Sequence, residues 1–146
     1  MVVLIGGSTG RDGIGGSQFA SDSLENEDRS AVQIPDPVIE KLIIEAILEA
    51  RNEKCINAMK DLGGGGLSCA ISETAESLGI GIELDVNKVH TRESGLLPDE
   101  IMISESQERM LLITSKQKLV KLNQICDKFR IPCSTIGHVK NDKMMH

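Results

Sequence analysis

Two runs of four residues without a polar member, Val2–Ile5 and Met110–Ile113, constrain the fold most. Each is too short for an ordinary helix, and an unbroken apolar run reads as a strand buried inside a sheet. The first ends in Gly6-Gly7, which reads as a turn. A core strand this close to residue 1 leads us to expect a domain excised from a longer chain, or an engineered start at Met1. Between and after these runs the period changes. Asp36 suits an N-cap and Pro37 a first helical position. Val38, Ile39, Leu42, Ile43, Ala46, Ile47 and Ala50 then recur at three- and four-residue spacing. That makes one wide apolar face on a helix ending near Lys54. Residues 55–62 read as a strand, and Leu67–Leu78 as a helix stopped by Gly79. Ile80, Ile82, Leu84 and Val86 alternate with Gly81, Glu83 and Asp85, the pattern of a half-buried strand. The polar stretch 90–100, with Pro98, reads as a loop. Lys116–Arg130 is expected to be helical, with Leu119, Leu122, Ile125, Cys126 and Phe129 on one face. Pro132 ends it and Ser134–Val139 forms a last strand.

Strands and helices interleave without repeated right-handed parallel units. That favours an α+β class, a layered sandwich with a mixed or mostly antiparallel sheet, over a doubly wound fold. A chain of 146 residues fits one domain over 1–146. At that length a fold buries roughly 70% of its unfolded surface, so no covalent staple is needed. The core must be aliphatic, because Phe19 and Phe129 are the only aromatic residues. With no aromatic platform for stacking bases and a net charge of −6, nucleic acid is not an expected partner. No apolar run approaches the roughly 18 residues of a membrane span. Cys55, Cys69, Cys126 and Cys133 form no CxxC knuckle, so we expect reduced thiols in a cytoplasmic protein.

Three segments carry functional residue types. Residues 6–16 hold six glycines in eleven positions. Glycines let backbone N–H groups approach an anion, so Gly10, Arg11 and Gly13 are candidate phosphate contacts. No Gly-Lys-Ser/Thr follows, however, and no dinucleotide fingerprint is complete. The competing account is a tight turn fixed by an Arg11–Asp12 pair. The second segment sets Asp61 at a strand end before Gly63-Gly64-Gly65-Gly66. A carboxylate there suits Mg²⁺, which takes one or two protein oxygens and fills its shell from water and phosphates. The bland alternative is that Asp61 caps the turn. Third, Ser104-Glu105-Ser106-Gln107-Glu108-Arg109 clusters donors and acceptors directly before an apolar strand, a common edge for a ligand site. His90, His138 and His146 lack partners at triad spacing, so no catalytic role is expected of them. Cys69 reads as a buried small hydrophobe.

Together these segments resemble one family, the AIR-synthase-related proteins, in their C-terminal domain. The carrying stretches are Gly6-Gly7-Ser8-Thr9-Gly10-Arg11-Asp12-Gly13-Ile14-Gly15-Gly16, Ser30-Ala31-Val32-Gln33-Ile34-Pro35-Asp36-Pro37, Lys60-Asp61-Leu62-Gly63-Gly64-Gly65-Gly66-Leu67 and Glu100 through Met110. Their order and content are most similar to the first such copy in the synthetase branch of phosphoribosylformylglycinamidine synthase. The resemblance implies a domain of an ATP-dependent ligase of purine biosynthesis. That ligase converts formylglycinamide ribonucleotide and ammonia to formylglycinamidine ribonucleotide. ATP phosphorylates the formamide oxygen and ammonia displaces the phosphate, with Mg²⁺ neutralising charge. It implies substrate contacts at Gln33, Glu105, Ser106 and Gln107, and a Mg²⁺ ligand at Asp61. Implied partners are a glutaminase subunit, a small accessory subunit, an N-terminal domain and a second half of the parent chain. Three departures stand out: Pro35 for glycine, Lys60 for glutamine beside Asp61, and Gly64-Gly65 for two alanines. Lys60 brings positive charge to the metal position. The family's catalytic histidine and most of its nucleotide ligands lie in the N-terminal domain, which nothing here matches. No catalytic residue is therefore expected in this chain, and alone it should not turn over. The alternatives are another enzyme of the superfamily (AIR synthase, selenophosphate synthetase, thiamine-phosphate kinase, a hydrogenase maturation factor) or a non-catalytic dimerising domain.

Overall fold

The computed structural model describes residues 1–14, 35–142 and 144. Five strands form one sheet: β1 (Val2–Gly6), β2 (Ala58–Asp61), β3 (Gly81–Leu84), β4 (Arg109–Ile113) and β5 (Cys133–Lys140). Their order is β2-β4-β1-β5-β3, and every pairing is antiparallel. Among the described residues four α-helices cover it: α1 (Pro37–Asn52), α2 (Gly66–Leu78), α3 (Pro98–Ile103) and α4 (Leu119–Phe129).

The two apolar runs are the two inner strands, side by side, with Val2 opposite Ile113 and Ile5 opposite Met110. Both faces of the sheet carry helices, which is why these strands show no polar alternation. On one face Val3, Ile5 and Leu112 pack with Ile43 and Ala46 of α1 and Leu122 and Ile125 of α4. On the other, Val2, Leu4, Leu111 and Ile113 pack with Leu67, Ala70 and Ile71 of α2 and Ile101 of α3. The result is a three-layer α+β sandwich with an aliphatic core.

The helix starts follow their local chemistry. Asp36 accepts from the N–H groups of Val38 and Ile39 at 3.1 Å, and Pro37 occupies the first turn. Gly79 ends α2 in the left-handed region, as expected. Three expectations need correction. The strand expected over 55–62 covers only Ala58–Asp61, because Cys55 turns into the core directly after α1. The stretch 90–100 is not all loop: Pro98 opens α3, and Glu100 reaches back to accept from the Leu97 N–H at 2.8 Å. Cys69 is exposed rather than buried. Leu67, Ala70, Ile71 and Thr74 take the core-facing positions of α2, which turns Cys69 outward. Among the described residues no helix is long and apolar enough to cross a membrane.

Candidate functional site

Sheet topology gathers the singled-out segments at one end. Strands β1 and β2 both run antiparallel to β4, so their carboxyl ends lie at its start. Gly6 pairs with Arg109, and Asp61 with Met110. Residues 7–13, residues 62–65 and the polar segment 104–108 are therefore neighbours.

Glu105 links all three. Its N–H donates to the Asp12 carbonyl at 2.7 Å, and its carboxylate accepts from the Gly65 N–H at 3.1 Å. Gly13, at φ +68°, lies so close that a Cβ would sit 2.6 Å from the Glu105 Cβ. Ser106 is 2% exposed. Its hydroxyl accepts from the Gly10 N–H at 2.9 Å and donates to the Asp12 carboxylate. Ser104, also buried, donates to the Gly10 carbonyl at 2.6 Å. Arg92 pairs with the other Asp12 oxygen. Two serines thus use both backbone groups of Gly10 to sew the first glycine-rich loop onto the polar segment.

Beneath them lies Arg109, a residue that sequence reasoning left without a role. It is 2% exposed. Its Nε donates to the Ser106 carbonyl at 2.8 Å, and its two terminal nitrogens donate to Thr9 Oγ1 at 3.0 Å and the Ser104 carbonyl at 2.6 Å. Burial lowers its pKa to about 10, with Asp12 opposing that shift, so it remains a cation at neutral pH. The available signal was a charged residue opening an otherwise apolar strand.

Gln107 and Glu108 face two clefts. One, of about 330 Å³, lies against α1 and is also lined by Glu40, Ile43, Ile47 and Asp61. The other, of about 390 Å³, is also lined by Ser8, Asp36, Ile39 and Arg92. Glu108 makes the turn between them in the left-handed region, at φ +57°. Its carbonyl accepts from the Gly7 N–H at 2.7 Å. The Gln107 side chain donates to the Glu105 carbonyl at 3.1 Å.

Asp61 stands at the mouth of the first cleft, its side chain 77% exposed. Lys60 approaches it only to 3.9 Å, because its ammonium pairs with Glu73 at 2.7 Å. The positive charge beside Asp61 is thus largely engaged elsewhere. An exposed carboxylate at a cleft mouth fits a Mg²⁺ that draws its other ligands from water and nucleotide. Among the described residues no group of three or more His, Cys, Asp or Glu is arranged to hold a metal ion alone.

The structure brings Asp61, Glu105, Ser106 and Gln107 to one end of the sheet, with Ser106 beneath the surface. Gln33 lies outside the described residues. The candidate phosphate contacts Gly10, Arg11 and Gly13 line neither cleft. Nor is there an Arg11–Asp12 pair. The Arg11 guanidinium reaches Glu100 at 2.8 Å and Glu93 at 3.1 Å, clamping the loop to α3. That pairing raises the Arg11 pKa and lowers that of Glu100. His90 is fixed between Ser134 Oγ at 2.9 Å and the Gly6 carbonyl at 3.2 Å. The carbonyl can only accept, so Nε2 carries the proton and Nδ1 accepts from Ser134.

The family model for the AIR synthase related protein, C-terminal domain, matches residues 1–145. Phosphoribosylformylglycinamidine synthase subunit PurL of Methanopyrus kandleri is 49% identical over 146 residues, covering 97% of this chain and 20% of that protein. The same subunit from Pyrococcus furiosus is 51% identical over 142 residues, covering 94% and 20%. The chain thus spans about a fifth of the length of the curated relatives it matches. Among solved structures, T. maritima PurL complexed with FGAR superposes with a TM-score of 0.88 at 38% identity, over 97% of this chain and 24% of that one. T. maritima PurL complexed with ATP gives 0.82 at 35% identity, over 97% and 21%. A thiamine-monophosphate kinase from Stenotrophomonas maltophilia shares the fold alone, with a TM-score of 0.63 at 14% identity, over 99% and 48%. The chain belongs to the family of AIR synthase related proteins, as a C-terminal domain of that family.

Proposed function

We propose that residues 1–146 act as one domain of a cytoplasmic, ATP-dependent ligase that makes formylglycinamidine ribonucleotide from formylglycinamide ribonucleotide and ammonia. The observation that carries this reading is the meeting of Asp61 and Gln107 at one cleft, with Glu105 bonded to both adjoining glycine loops. The PurL relatives, including structures of complexes with FGAR and with ATP, suggest the substrate and nucleotide.

In this reading Gln107 offers the substrate a donor and an acceptor, the pair that an amide requires. Gln33 carries the same functionality. Glu105 contributes through the order it gives the segment. Ser106 acts from beneath by fixing Gly10 and Asp12. Asp61 is the residue that would hold Mg²⁺, which supplies neutralisation of phosphate charge during phosphoryl transfer. Ammonia reaches the ligase from a glutaminase partner, and a small accessory subunit completes the assembly; one related structure is that of PurLQS from Thermotoga maritima. The catalytic groups belong to the ligase's other domains.

The test is an amidine-formation assay on the complete synthetase with ammonia, ATP and Mg²⁺. Asp61→Asn is expected to raise the Mg²⁺ concentration for half-maximal rate about tenfold, the scale of one lost charged ligand. The 146-residue chain alone is expected to give no product. Turnover by that chain, or an unchanged Mg²⁺ requirement in the variant, contradicts the reading.

A further inference from the structure

Among the described residues, the largest side chain sealed inside the fold is a cation, Arg109. Burying an arginine is expensive, and a well-packed apolar residue is often the more stable choice. The rest of β4 is apolar, so such a residue would suit the strand. Arg109 also forms no ion pair at contact distance among the described residues; Ser106 stands between it and Asp12, accepting from Arg109 with its carbonyl and donating to Asp12 with its hydroxyl. Among the described residues its acceptors are instead the carbonyls of Ser104 and Ser106 and the hydroxyl of Thr9. Its own carbonyl accepts from the N–H of Leu62, next to Asp61, at 3.2 Å.

These partners define a task. The two carbonyls flank Glu105, so a rigid planar fork fixes the direction in which the chain presents Glu105 and, next, Gln107. The Thr9 bond ties that direction to the first glycine-rich loop, and the Leu62 bond to the strand end bearing Asp61. A lysine would keep the charge but could not hold three divergent acceptors in one plane.

We propose that Arg109 is a positioning residue for the amide ribonucleotide substrate, setting the geometry of residues 104–108 against both glycine-rich loops. The proposal rests on the reading of these residues as the substrate wall. Its test uses the complete synthetase carrying Arg109→Lys, with Thr9→Val as the milder variant should the first fail to fold. The expected result is a rise of about tenfold or more in KM for formylglycinamide ribonucleotide, with kcat changed less than about threefold. Hydrogen–deuterium exchange at amides 105–108 should accelerate while the strands β3 and β5 keep their protection. A purely structural role would lower the melting temperature and leave KM where it was. The proposal is overturned if KM stays within about twofold of wild type in the folded variant, whether or not exchange accelerates. It is equally overturned if exchange at 105–108 does not change. If the wild-type synthetase makes no amidine, the functional reading falls by itself, and the exchange measurement still decides whether Arg109 sets this segment.

Discussion

The two glycine-rich stretches look alike as sequence and differ in what their glycines do. In the first, every described glycine is pressed against something. A Cβ on Gly6, at φ +107°, would overlap the Glu108 carbonyl oxygen, and one on Gly7 would sit 2.9 Å from the Gln107 carbonyl. One on Gly10 would meet the Arg92 guanidinium, and one on Gly13 the Glu105 side chain. In the second stretch only half are so constrained. Gly65 and Gly66 have positive φ, and Gly66 backs onto the Ser104 carbonyl. Gly63 has nothing within 4 Å, and Gly64 meets only Glu105 Oε1 at 3.9 Å. Glycine density therefore marks two different things. In the first loop it marks close approach of backbone to backbone. In the second it includes open positions whose missing side chains leave the mouth beside Asp61 uncrowded.

Substitutions can break or sharpen that contrast. The largest effect is expected at Gly6→Ala and Gly66→Ala. Each adds a backbone collision to a strained φ, and each should lose about 3 kcal/mol or more in urea denaturation. Next is a pH effect tied to the same loop. Burial holds the His90 pKa below its ordinary 6.5. As pH falls below 6.5 the unfolded chain takes up the proton first, so stability falls until the folded-state pKa is passed, and it is flat above 6.5 on this account. The slope is at most about 1.4 kcal/mol per pH unit, and His90→Gln should remove it from a stability-versus-pH series. Gly10→Ala comes third. Its obstacle is the end of a flexible Arg92 side chain, so loosening the Arg92–Asp12 pair should lower stability by about 1 kcal/mol in the same denaturation assay. Smallest is Gly64→Ala, expected to raise stability by about 0.4–1 kcal/mol, since the site is open and its φ is not in the left-handed region. A loss there as large as at Gly6 would erase the distinction.

Much of the fold was legible because its rules are local. Strands β1 and β4 announce themselves because helices cover both sides of them. Helix α1 shows its cap and its stripe. The short helix α3 was not legible by periodicity, since six residues hold too few repeats, although Pro98 and Glu100 were start signals. The site divides in the same way. Asp61 and the 104–109 cluster could be picked out from residue type and position at strand ends. The partners of Arg11 could not, because Glu93 and Glu100 lie 82 and 89 residues further along the chain. Nor could the serines at 104 and 106 be told from surface hydroxyls until topology set them beneath Gly10. Arg109 looked like one more charge in a polar run because its three acceptors converge only in the folded chain.

The account depends on Gln107 and its neighbours meeting a ligand at this end of the sheet. The most direct measurement is calorimetric binding of formylglycinamide ribonucleotide to the complete synthetase, wild type against Gln107→Ala. Loss of the amide's paired bonds should weaken binding about tenfold, equivalent to about 1.4 kcal/mol, with the melting temperature unchanged. Equal affinities for the two proteins would contradict the account.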